Sequence, residues 1–145
     1  MKISSIVFED NGNIPEKYTC KGESVNPPLS WEGVPVNTRS LALIVDDPDA
    51  PMGVFSHWVL WDIPVHVGGV EENSVPVEAV VGVSTSGVNQ YVAPCPPSGV
   101  HHYRFKLYAL DKELFLSIKS TQEDLEAAMD GHILDQAQLV GLFQK

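Results

Sequence analysis

Three short segments of this 145-residue chain carry side chains suited to binding or proton transfer: Asp46 to Pro51, His57 with Trp58, and Pro94 to Tyr103. In the first, Pro48 and Pro51 restrict the backbone and present Asp47 and Asp49 in a fixed direction. The plainest reading of such a segment is a charged turn at a strand end. His57 and His101 each fall among apolar neighbours, so an ionisable ring enters the interior twice. A carboxylate holding one imidazole nitrogen would fix the tautomer and leave the other nitrogen for a ligand. In Cys95-Pro96-Pro97-Ser98-Gly99 the prolines supply no N–H, so donors to an anion must come from Cys95, Ser98, Gly99 or their neighbours. A hydrolytic triad of Ser98, His57 and Asp47 can be written. It lacks the G-x-S-x-G turn, however, and no helix follows Ser98. A metal site from His57, His101 and an aspartate has no HxH or HExxH spacing behind it. The expectation is therefore a binding site without catalytic residues, metal or cofactor.

The elements that must position these residues are mostly strands. Leu41 to Val45 is a continuous apolar run, the pattern of a strand covered on both faces. In His57 to Ile63, a period of two puts His57, Val59, Trp61 and Ile63 on one face and Trp58, Leu60 and Asp62 on the other. His102 to Leu110 alternates most clearly. Tyr103, Phe105, Leu107 and Ala109 point inward, His101 extends that register, and His102, Arg104 and Lys106 face solvent. Leu43, Val45, Val59, Trp61, Phe105 and Leu107 are the expected core. Ser84 to Gly99 reads as the longest loop. A helix starts at Ser120 or Thr121, with Glu123 or Asp124 completing a capping box, and ends near Gly131. A further helical turn or two is expected from His132 to Gln138, before a strand at Leu139 to Phe143. Together these predict one mainly β domain over 1–145, a β-sandwich of antiparallel sheets with a short C-terminal helical segment.

Composition narrows the partners. The chain carries 43% hydrophobic and 19% charged residues, as folded proteins do, and a formal net charge of −10. Nucleic acid requires a basic footprint that is missing here, and anionic membranes would repel the chain, so neither partner nor any stable membrane association is expected. An anion must be held by a local pocket acting against the overall field. The first residues lack the apolar run of an export signal, which predicts a cytoplasmic protein with Cys20 and Cys95 as free thiols. His66 and His102 are read as surface residues.

Taken in order, these segments resemble the phosphatidylethanolamine-binding protein family, also called the Raf kinase inhibitor family, and above all its compact bacterial and archaeal branch. The likeness begins at Ile14-Pro15-Glu16-Lys17-Tyr18-Thr19-Cys20-Lys21-Gly22 and continues through Asn26-Pro27-Pro28-Leu29-Ser30-Trp31. It is strongest at Asp47-Pro48-Asp49-Ala50-Pro51, His57-Trp58 and Pro94 to Tyr103, and it extends to Gly131-His132-Ile133-Leu134. The resemblance implies a β-sandwich with a small pocket for phosphate-like anions such as lipid headgroups and phosphorylated residues. Asp47 and His57 would form one wall, and Pro96, Pro97, His101 and Tyr103 the other, with Asp49 beside them. It also implies a second kind of role, as a surface-acting inhibitor of a kinase or serine protease, and leaves room for a homodimer. Two departures stand out: His102 replaces a common Arg, and Tyr91-Val92-Ala93 replaces a Gly-rich lead-in.

Overall fold

A computed structural model describes residues 1–145. The strands are β1 (Lys2–Ser4), β2 (Gly12–Asn13), β3 (Leu29–Glu32), β4 (Ser40–Asp47), β5 (Phe55–Ile63), β6 (Gly69–Val70), β7 (Val80–Val81), β8 (Val100–Leu110) and β9 (Ile133–Gln144); the one α-helix is α1 (Gln122–Met129). A small sheet has the order β1-β3-β6, and a large one the order β2-β9-β8-β4-β5-β7. All pairs are antiparallel except β2 with β9, a departure from the purely antiparallel expectation.

The apolar run of β4 lies at the centre of the large sheet, and every one of its residues is buried. Its odd positions Leu41, Leu43 and Val45 join Trp58, Leu60, Phe105 and Leu107 in the core between the sheets, closed by Ile3, Leu29 and Trp31 from the small one. Its even positions Ala42 and Ile44 pack on the opposite face with Val59, Trp61 and Tyr108, under Leu125 and Met129 of α1. Both faces of β4 are therefore dry, which is why its sequence does not alternate. The six expected core residues are all buried.

The helix begins as its sequence dictates. The Thr121 side chain accepts from the Asp124 N–H while the Asp124 carboxylate accepts from the Thr121 N–H, and Gly131 turns the chain at φ +80° just past the end. The helical turns expected over 132–138 are not there. β9 starts at Ile133 and pairs with β8 along its whole length, from Leu110 with Ile133 to Val100 with Gln144. Asp135, Gln136, Ala137 and Gln138 are poor strand formers, and the long partner overrides their preference.

β5 does not keep a period of two. Val45 pairs with Trp58 but Asp46 pairs with Ser56, leaving His57 as an extra residue, and a second slip separates Leu43–Leu60 from Leu41–Ile63. The bulges move Ile63 into the inter-sheet core with Trp58 and Leu60, away from the face it was expected to share with Val59 and Trp61. At the second bulge Asp62 has φ +53°, and its carboxylate accepts from the N–H groups of Leu114 and Phe115 at 2.7 and 3.0 Å.

Candidate functional site

The first bulge builds the site. Inserting His57 between Ser56 and Trp58 brings its ring against Tyr103 of β8, with ring centroids 5.2 Å apart, and against Phe55, at 4.7 Å. His57 is then fixed by the long loop. Its Nδ1 donates to the Val92 carbonyl at 2.6 Å, and the Val92 N–H donates back to the His57 carbonyl at 2.9 Å. Nε2 has no partner within the protein. Asp47 closes β4 beside it, accepting from His101 Nδ1 at 2.6 Å and from the Asp49 N–H at 2.8 Å, so the turn that presents the carboxylate also satisfies it.

A cleft of about 220 Å³ collects Asp47, His57, Pro96, Pro97, His101 and Tyr103, as expected from the sequence. Asp49 is the exception. It does not line the cleft; its carboxylate accepts from the His102 N–H at 2.8 Å and from His102 Nδ1 at 2.7 Å, tying the Pro48 turn to β8. Ser98 is also outside the lining, and Asp47 engages His101 rather than His57, so the written triad is not assembled. Ala50, Pro51 and Cys95, which line the walls too, fall in the segments the sequence singled out, whereas Phe55, Val92 and Ala93 were missed. The proline signal at Pro51 was visible; Val92 contributes through its backbone and carried no signal.

Cys20 and Cys95 are joined in a disulfide, with Cα atoms 5.4 Å apart. The expectation of free thiols is corrected, and with it goes that support for a cytoplasmic setting. The bond lies in the wall of the cleft and anchors residues 91–97 to the turn around Tyr18. The Cys20 N–H also donates to the Pro94 carbonyl at 3.1 Å, and the Tyr91 hydroxyl to the Tyr18 carbonyl at 2.9 Å.

Electrostatically the cleft has no Lys or Arg. Burial pushes the His57 imidazole below its ordinary value, more than the Val92 carbonyl and Asp47 raise it, so the ring is neutral at pH 7. Burial, reinforced by Asp47 and Asp49, pushes the Tyr103 phenol up and keeps it a neutral donor. With Nδ1 carrying its proton, His57 offers Nε2 as an acceptor, or as a donor after taking up a proton. Such a site suits an anion that brings a proton with it, as a singly protonated phosphate does.

The expected exposure of Arg104 and Lys106 is also corrected. Both fold over Asp46, whose side chain is fully buried on the other face of β4. Arg104 donates to it through Nε and Nη2 at 2.7 and 3.0 Å, Lys106 Nζ at 2.7 Å and Gln122 Nε2 at 2.9 Å. Burial by itself would raise this carboxyl, but these hydrogen bonds outweigh it and hold the group below the usual carboxylate range.

Among known proteins, a family model described as phosphatidylethanolamine-binding protein matches residues 4–144. A UPF0098 protein of Methanothermobacter thermautotrophicus is 49% identical, covering 100% of this chain and 99% of its own length. A UPF0098 protein of Chlamydia trachomatis is 40% identical over 100% and 99%. Of solved structures, CT736 of Chlamydia trachomatis, described as a homolog of phosphatidylethanolamine-binding protein, superimposes with a TM-score of 0.95 at 40% identity, covering 99% of this chain and 97% of that one. YbcL of E. coli, described as a new member of the mammalian PEBP family, gives 0.93 at 26% identity over 99% and 98%.

Proposed function

We propose that this chain, which belongs to the phosphatidylethanolamine-binding protein family, uses the cleft at Asp47, His57 and His101 to hold a small ligand bearing a phosphate-like group. The reading is one of binding rather than turnover. It rests on one observation above all: His57 commits Nδ1 to Val92 and leaves Nε2 to a small, mostly apolar cleft, beside an imidazole already oriented by Asp47.

Three kinds of contact would hold the ligand. His57 takes the proton of a phosphate P–OH or, protonated, donates to a phosphate oxygen. Tyr103 donates as a neutral phenol, and His101 offers its second ring nitrogen. Pro96, Pro97 and Phe55 displace water around the group, which strengthens each polar contact. Because His57 is neutral until it takes up a proton, its charged contact to the ligand links binding to proton uptake.

Calorimetric titration with inorganic phosphate and with glycerol phosphate, from pH 8 to pH 5.5, tests this. Phosphomonoesters lose their second proton near pH ~6. Affinity is expected to rise as pH falls toward that value and to level off below it. His57→Ala removes one charge-assisted hydrogen bond of about 1.5–3 kcal/mol, which is about a ten- to hundredfold loss. Affinity flat with pH and indifferent to the substitution would overturn the assignment.

A further inference from the structure

The face of the large sheet turned away from this cleft carries a second one, of about 460 Å³, between β5, β8 and α1. Its size lies within the ordinary range of small-molecule sites, roughly 300–1,000 Å³. Its floor is the Asp46 cluster, and the charges there do not balance. One buried carboxylate faces two cations, Arg104 and Lys106, and the Lys106 side chain is only 13% exposed. Of the three Lys106 donors one is spent on Asp46, and of the five Arg104 donors two are. The remainder of the floor is already satisfied: Gln122 bridges Asp46 and the Ser56 hydroxyl, at 2.9 and 2.5 Å. Counted against its one hydrogen-bonded carboxylate, the floor thus carries one cation more than it pairs, with the exposed Glu126 its nearest further anion, in a chain whose net charge is −10.

The rim has the opposite character. Glu123 and Glu126, three residues apart on α1, are exposed and line the same cleft, with Glu126 near enough to Arg104 to help raise its pKa. Thr85 lies at the side, its Oγ1 accepting from the Ser56 N–H at 2.8 Å and keeping its own proton to donate. Ser84, 4% exposed, borders the cleft with a hydroxyl that no protein group satisfies. A dianion drawn to the floor would be repelled by the rim, and a simple cation drawn to the rim would be repelled by the floor. A molecule with one charge of each sign satisfies both.

We propose that this second cleft binds a small zwitterion of free amino-acid size, its carboxylate on Lys106 and Arg104 and its ammonium toward Glu123 and Glu126. This cleft is lined by no imidazole, so its binding is expected to be unchanged across the pH range in which His57 takes up a proton, and the two sites are separable by experiment.

The test is an amide-resolved NMR titration of the full chain with L-serine, with acetate and ethanolamine as its two half-ligands. Saturable shifts are expected at Ser56, Thr85 and Gln122, with each half-ligand at least tenfold weaker. Lys106→Met should weaken L-serine at least tenfold while Arg104 and Gln122 keep Asp46 paired. Glu123→Gln, a change at an exposed side chain, should weaken L-serine several-fold and leave acetate no weaker. Saturating glycerol phosphate should not displace L-serine. The proposal is overturned by shifts that fail to saturate by about 10 mM, by acetate binding as tightly as L-serine, by unchanged affinity in Glu123→Gln, or by displacement with glycerol phosphate.

Discussion

Asp46 and Asp47 are consecutive residues at the end of one strand, yet they serve opposite faces of the large sheet and opposite electrostatic regimes. Asp46 is fully buried under Arg104, Lys106 and an amide, whose hydrogen bonds hold its carboxyl below the usual carboxylate range. Asp47 meets His101, in a cleft whose other basic group, His57, is held neutral by burial. The same two-residue sequence thus yields a floor bearing Arg104 and Lys106 on one side and an imidazole-lined wall on the other. Ser56 and His57 repeat the division on the neighbouring strand, Ser56 reaching Gln122 and His57 reaching Val92. The contrast teaches that the charge on a cleft is decided by what the partner strand places opposite it, and that strand parity assigns the faces only as far as the bulges allow.

The contrast can be broken most forcefully at Asp46. Asp46→Ala leaves Arg104 and Lys106 as uncompensated, partly buried cations and is expected to cost about 3–5 kcal/mol, the range for removing one partner of a buried pair, read as a fall in the urea midpoint. An effect below about 1 kcal/mol would mean that the cluster is solvated and the two faces are electrostatically alike. Next in size is the disulfide. Cys20→Ser with Cys95→Ser should lower stability by about 2–4 kcal/mol. It should also weaken glycerol phosphate in the first cleft, whose wall it releases, and leave L-serine in the second unchanged. Equal loss at both clefts would show that the bond supports the whole fold and not the wall.

The smallest expected effect sharpens the comparison through pH. His57 has a folded-state value below its ordinary 6.5, so the unfolded chain binds that proton more readily. Stability should therefore fall as pH drops below about 6.5, by up to about 1.4 kcal/mol per pH unit, until the folded value is passed. His57→Gln should flatten that slope. The contribution of Asp46, whose folded value is depressed, is present above about 3.8 and is lost only as pH falls lower still. Acid should unsettle the titratable face first. A single transition near pH 4, identical in wild type and His57→Gln, would contradict this order.

Much of this was legible in the sequence, for identifiable reasons. β4 and β8 announced themselves because their patterns are long and uninterrupted, and the family likeness drew Asp47, His57, His101 and Tyr103 into one pocket. β1, β3 and β6, the whole second sheet, are two to four residues each, too short for periodicity to register. The faces of β5 were misassigned where two bulges break the count. Free thiols at Cys20 and Cys95 were inferred from context, whereas a pair separated by 75 positions is decided by tertiary proximity alone. Arg104 and Lys106 were correctly placed on the outward parity of β8. What sequence did not supply was the neighbour: β4 pairs with β8 so that Asp46 lies directly opposite Arg104.

The large sheet ends on strands of two residues each, β2 and β7. Sheet margins are templates on which another chain can add a strand, and brevity is one of the ways natural proteins deny that template. β7 leaves little to copy. On the other side β2 pairs with only Gly141 and Leu142 of β9, so the earlier half of that twelve-residue strand has no paired strand on this margin, although β1 lies beside β9. Its guard is chemical: Asp135, Gln136 and Gln138 replace the hydrophobic alternation that aggregation favours, and Asp135 is held by the amino terminus of Met1 at 3.1 Å. The residues that made this stretch look unlike a strand are those that keep it from recruiting another.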